Sequence, residues 1–64
     1  MAQQARIEVQ NQFGEWRLFT TVTVLGTNVR RALQRAVQSP VARTSGKARA
    51  VDADTGDLLD IEHA

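Results

Sequence analysis

Asp52-Ala53-Asp54-Thr55-Gly56-Asp57 is the run in this 64-residue chain whose residue types could most readily do chemistry. Asp54-Thr55-Gly56 spells the signature of the aspartic proteases, where two such carboxylates share one proton. No second motif of that kind follows, and the same three residues make an ordinary hairpin turn. Read as a calcium loop from Asp52, the run puts Gly56 at position 5 and His63 at position 12. An EF-hand needs glycine at position 6 and a bidentate glutamate at position 12. His63, the only histidine, is one residue from the C-terminus, where fraying makes a poor general base and a poor metal ligand. Ser39 and Ser45 have no other imidazole to activate them, and there is no cysteine. Gly14, Gly26, Gly46 and Gly56 are scattered rather than gathered into a phosphate loop. The residues therefore predict no catalytic site, no metal site and no cofactor.

Charge is the remaining signal. Up to Val51 eight basic residues face two acidic ones, a net +6; from Asp52 onward there are five acidic residues and no basic one, a net −5. The overall +1 conceals a strongly dipolar chain, and such asymmetry concerns partners rather than fold. Arg31 and Arg35 stand one helical turn apart with Arg30 on their flank, and Arg43, Lys47 and Arg49 extend the basic set. The planar guanidinium suits phosphate or carboxylate. A solvated helix face would look the same, since such a face must be polar. Segregated signs argue against a role in solubility alone, and the acidic second hairpin would repel phosphates.

These residues must be positioned by short elements. Residues 5–12 alternate Ala5, Ile7 and Val9 with Arg6, Glu8 and Gln10, and residues 16–25 alternate again, the period of half-buried strands. Gln12-Phe13-Gly14-Glu15 forms the turn, with Gly14 at positive φ. That loop sets Asn11 opposite Trp16 and Val9 opposite Leu18, which gathers Ala5, Ile7, Val9, Trp16, Leu18, Val22 and Val24 on one face. Phe19 then falls on the outer face beside Arg17. Either a β-bulge near Thr20 turns it inward, or it is an exposed aromatic anchor.

Thr27 or Asn28 caps a helix over 28–39, in which Val29, Ala32, Leu33, Ala36 and Val37 make one apolar stripe. Arg31, Gln34, Arg35 and Gln38 fall opposite. Pro40 ends the helix, and 40–47 is a loop. A second hairpin over 48–63 turns at Asp54-Thr55-Gly56 as a three-residue loop, with Gly56 left-handed. Its register pairs Val51 with Leu59 and puts Ile61 on the core face, leaving Asp52, Leu58, Asp60 and Glu62 on the other. The fold class is α+β, a single small ββαββ domain over 1–64: a four-stranded antiparallel sheet with the helix packed on one face.

A core this small seldom supplies more than about 3–5 kcal/mol, and without cysteine no disulfide adds to it. The polar N-terminus lacks the apolar run of a signal peptide, and the stretch from Leu18 to Leu25 is far too short to span a bilayer. A cytoplasmic protein without membrane association is expected.

The segments G-E-W-R-L-F at 14–19, V-R-R-A-L-Q-R-A-V at 29–37 and A-V-D-A-D-T-G-D-L-L-D-I at 50–61 complete the pattern. In this layout the chain resembles the very small ββαββ proteins of phages and mobile elements, including several anti-CRISPR proteins. The resemblance implies a non-enzymatic inhibitor that docks on a CRISPR effector and blocks DNA recognition or nuclease recruitment. The reading is thus a protein-interaction module, with Arg17, Phe19, Arg30, Arg31, Arg35, Asp57 and Asp60 as partner-contact residues. The alternative is a nucleic-acid binder with Arg30, Arg31 and Arg35 on phosphates. A homodimer would instead set those arginines against Asp57, Asp60 or Glu62 of a second copy.

Overall fold

A computed structural model describes residues 3–40 and 46–63. Strand β1 spans Gln4–Gln10, β2 Trp16–Thr23, helix α1 Asn28–Val37, β3 Lys47–Asp52 and β4 Leu58–His63. The four strands form one antiparallel sheet in the order β2-β1-β3-β4, the ββαββ architecture expected. The chain leaves the β2 edge, crosses as α1, and returns to the centre as β3 beside β1. Most of the predicted loop 40–47, with Arg43 and Ser45, lies outside the described residues.

The helix stripe forms as its spacing predicts. Ala32, Leu33 and Ala36 are buried, Val29 and Val37 flank them, and all pack with Ile7, Val9, Ala48 and Ala50. Small residues on both sides, Ala32 and Ala36 against Ala48 and Ala50, let the helix approach the sheet closely. Among the described residues, Ile7, Leu33 and Val9 are the largest side chains fully withdrawn from water, so the core is thin. Thr27 occupies the N-cap position, but its hydroxyl makes no capping bond; Asn28 instead donates its side-chain amide to the Thr23 carbonyl at 3.3 Å. The helix ends at Val37, two residues before Ser39. Gln38 and Ser39 then donate to the carbonyls of Arg35 and Ala36, a tightened last turn that Pro40 cannot prolong.

The first hairpin closes one residue earlier than its loop length suggested. Asn11 N–H donates to the Glu15 carbonyl at 2.8 Å, while Asn11 Oδ1 accepts from the amides of Phe13 and Glu15, both at 2.9 Å. An asparagine bonding its own turn in this way makes Asn11 and Glu15 the closing pair. Gly14 supplies the positive φ of +82°. The register is therefore Gln10 opposite Trp16, Val9 opposite Arg17 and Glu8 opposite Leu18. A bulge at Phe19 then restores the expected register, with Ile7 opposite Thr20 and Ala5 opposite Val22. Because facing residues share a side of the sheet, Val22 joins the helix side, whereas Trp16 and Leu18 lie on the opposite one. This corrects the expectation that both belong to the core.

The second hairpin is corrected likewise. Ala48 and Ala50 face the helix, so Arg49 and Val51 face away. Val51 pairs with Leu58 rather than Leu59, and Arg49 pairs with Ile61. Leu59 is the extra residue of a second bulge. Leu58 and Ile61 thus share the helix-free side, while Asp60 and Glu62, opposite Ala50 and Ala48, lie on the helix side. Asp52 closes this turn: its amide donates to the Asp57 carbonyl, and its Oδ1 accepts from the Asp54 and Thr55 amides at 2.8 and 3.0 Å. The closing pair is therefore Asp52 and Asp57, wider than the three-residue loop expected, with Gly56 at φ +79°.

Candidate interaction surface

An antiparallel sheet with one face on its core normally turns a polar face to water. The helix-free face here departs from that rule. Its rows across the strands can be read from the registers: Leu18, Glu8, Arg49 and Ile61 form one rung across all four strands, and Thr21, Arg6, Val51 and Leu58 form the next. Trp16, opposite Gln10, stands on the same face beside Leu18. Leu18 is 61% exposed, Leu58 60% and Ile61 42%, so each edge strand raises an apolar ridge into solvent. Val51 is buried between Arg6 and Leu58.

Between the ridges lies an ordered charge group. Arg49 Nε donates to Glu8 Oε1 at 2.8 Å, and the guanidinium carbon stands 4.2 Å from the centre of the Trp16 ring. Stacking on an indole and bonding to a carboxylate together fix the plane of a guanidinium. The Nη1 and Nη2 groups of Arg49 bond to no described residue. Among the described residues, Glu8 is the only acidic one on this face. Asp52, Asp60 and Glu62 register on the helix side, and Glu15, Asp54 and Asp57 lie in the turns.

The expected contact residues are spread over the molecule. Arg17 sits opposite Val9 on the helix side of the β2 edge and pairs with Glu15 at 3.4 Å, both well exposed, a contact worth about 0–1 kcal/mol. Phe19 is the bulged residue; the bulge expected near it exists, but Phe19 remains 41% exposed rather than joining the core. Arg30, Arg31 and Arg35 are exposed on α1. Arg31 and Arg35, with Gln34 and Gln38, line an open concavity of about 500 Å³, and Arg30 stands outside it. Asp57 belongs to the turn, where its amide donates to Thr55 Oγ1 at 3.2 Å. Asp60 accepts the Ile61 amide at 2.8 Å. Among the described residues neither aspartate pairs with an arginine, so only Arg31 and Arg35 are brought together. Trp16, Leu18, Glu8, Arg49, Leu58 and Ile61 were missed as a site; a signal for them was Asn11, whose turn chemistry fixes the register.

Among the described residues, no three His, Cys, Asp or Glu side chains converge on a cation position, and no helix is long and apolar enough to cross a membrane. Comparison with protein-family models, with curated proteins and with solved structures gave no match to this chain.

Proposed function

We propose that the chain is a non-enzymatic protein-interaction module that docks its partner on the helix-free face of the sheet. The observation that supports this is the pair of apolar ridges, Leu18 with Trp16 and Leu58 with Ile61, flanking a fixed arginine on a face that solubility alone would make polar. Apolar anchors around a desolvated polar centre are where binding energy concentrates in protein interfaces. Single-stranded nucleic acid is instead received on several exposed aromatic rings, and this face offers one indole already covered by Arg49. The likeness in layout to anti-CRISPR proteins makes a host nucleoprotein effector in the cytoplasm the partner class to test first, with inhibition as the outcome of docking.

One observation favours a second reading. Arg31 and Arg35 share a concavity, and Arg30 and Arg31 sit in a first helical turn with no acidic residue, against the helix dipole. An anion such as a nucleic-acid phosphate would relieve that repulsion. Affinity capture separates the two readings. A partner protein retained by Arg31→Glu/Arg35→Glu and lost with Leu18→Ser/Ile61→Ser supports docking on the sheet. Nucleic acid captured instead, and lost with the helix variant, overturns it in favour of the second reading.

A further inference from the structure

We propose that Arg49 is a carboxylate-recognition centre, and that the occupant of the helix-free face is an amphipathic helix of a partner protein carrying an acidic residue within its apolar stripe. The inference rests on the sheet-docking reading above and names the chemistry that face selects.

Three observations carry it. First, Nε of Arg49 is engaged by Glu8 and its plane lies over Trp16, which leaves the Nη1–Nη2 edge as the part of the fork without a partner among the described residues. That edge accepts a carboxylate bidentately, the strongest geometry a guanidinium offers. Because the side chain is already held by two contacts, little rotamer freedom remains to be lost on binding. Second, the face is complementary to an acidic ligand. It carries Arg6 and Arg49, and its one carboxylate, Glu8, is already bonded to Arg49. A second copy stacked face to face would bring arginine against arginine with no carboxylate on this face to spare. Third, the face suits a helix better than an added strand. Both edge strands are interrupted by bulges, at Phe19 and Leu59, which blunt pairing with a foreign strand. The ridges on β2 and β4 are three strand spacings apart, roughly 14 Å, enough to seat a helix about 10 Å across.

The probe is a synthetic amphipathic helical peptide of about 16 residues, near the length at which isolated helices become stable, with a leucine stripe carrying one central glutamate. Matched peptides have glutamine or lysine at that position. Titrated into the isotope-labelled protein, the glutamate peptide should shift the Trp16 indole N–H, the Arg49 Nε–H and the Ile61 methyl signals. Its affinity should exceed that of the glutamine peptide by about tenfold or more, the ratio expected of one charge-assisted pair. Arg49→Lys, which keeps the charge but loses the fork, should remove most of that preference. Leu18→Ser, a change at an exposed position, should weaken both peptides while the unbound spectrum stays folded. Equal affinity for the glutamate and glutamine peptides overturns the carboxylate centre and leaves sheet docking standing. Shifts confined to α1, or no binding, overturn the proposed occupant; a dimer in sedimentation that Leu18→Ser dissolves would assign the face to a second copy. The sheet-docking reading itself fails separately, if capture of the native partner ignores the Leu18→Ser/Ile61→Ser variant.

Discussion

The Arg49 guanidinium stacks 4.2 Å from the centre of the Trp16 ring, although the two residues belong to different hairpins and to strands separated by β1. Their contact ties the first hairpin to the second on the side of the sheet that no helix covers. Trp16→Ala should therefore lower stability by about 0.5–1 kcal/mol, the size of a cation–π contact near a surface, and should loosen Arg49. Urea unfolding gives the first effect, and broadening of the Arg49 Nε–H signal the second. An unchanged midpoint with an unmoved arginine signal would show the stacking to be incidental.

Leu33 is the largest helix residue in the core and has no exposure. Leu33→Ala should cost about 2–5 kcal/mol. That approaches the roughly 3–5 kcal/mol available to a domain of this size, so much of the protein should be unfolded at room temperature. By contrast Leu58→Ser, at a 60% exposed position, should stay within about 0.5 kcal/mol of the parent. Circular dichroism melts of the two variants test the contrast.

How much of this was legible in the sequence differs by element. The α1 stripe could be read because Val29, Ala32, Leu33, Ala36 and Val37 repeat at helical spacing and all meet the sheet. The strands were legible, but their faces were not. Asn11 closes the first turn with its side chain, which moves the pairing by one residue and carries Trp16 and Leu18 to the other side. In β3 the apolar weight of Val51 pointed inward, yet the small Ala48 and Ala50 let Ala32 and Ala36 approach, and that close packing decides the face. Arg49 looked like one more basic residue because its carboxylate partner, Glu8, lies 41 positions away.

Arg30 occupies the third position of a helix whose N-cap, Thr27, makes no side-chain bond. Arg30→Glu would create a Thr-x-x-Glu capping box and replace an unfavourable charge at the positive end of the dipole. A gain of about 0.5–1 kcal/mol is expected in thermal or urea unfolding. A loss would mean that Arg30 stabilises the fold through a side-chain contact of its own.

Asp52 is held below the usual carboxylate range by the Thr55 amide first, then by the Gln3 side chain and the Asp54 amide. A carboxylate whose folded pKa is depressed contributes stability that is present above its unfolded value, about 3.9, and is lost as pH falls through the lower folded value. Acid should therefore destabilise the protein progressively below about pH 4. Asp52→Asn, which keeps an acceptor oxygen but cannot titrate, should show a shallower acid slope. Equal slopes for the two proteins as pH falls below about 4, the unfolded carboxylate value, would refute the assignment.

If the partner docks on the helix-free sheet face, site-directed photocrosslinking in the native host will capture it there. A photoreactive benzoylphenylalanine is placed at Leu18 on that face, or at Gln34 on the exposed side of α1. One discrete protein adduct is expected from position 18 and none from position 34. An adduct from position 34 with no product at position 18, whether protein or nucleic acid, would contradict it.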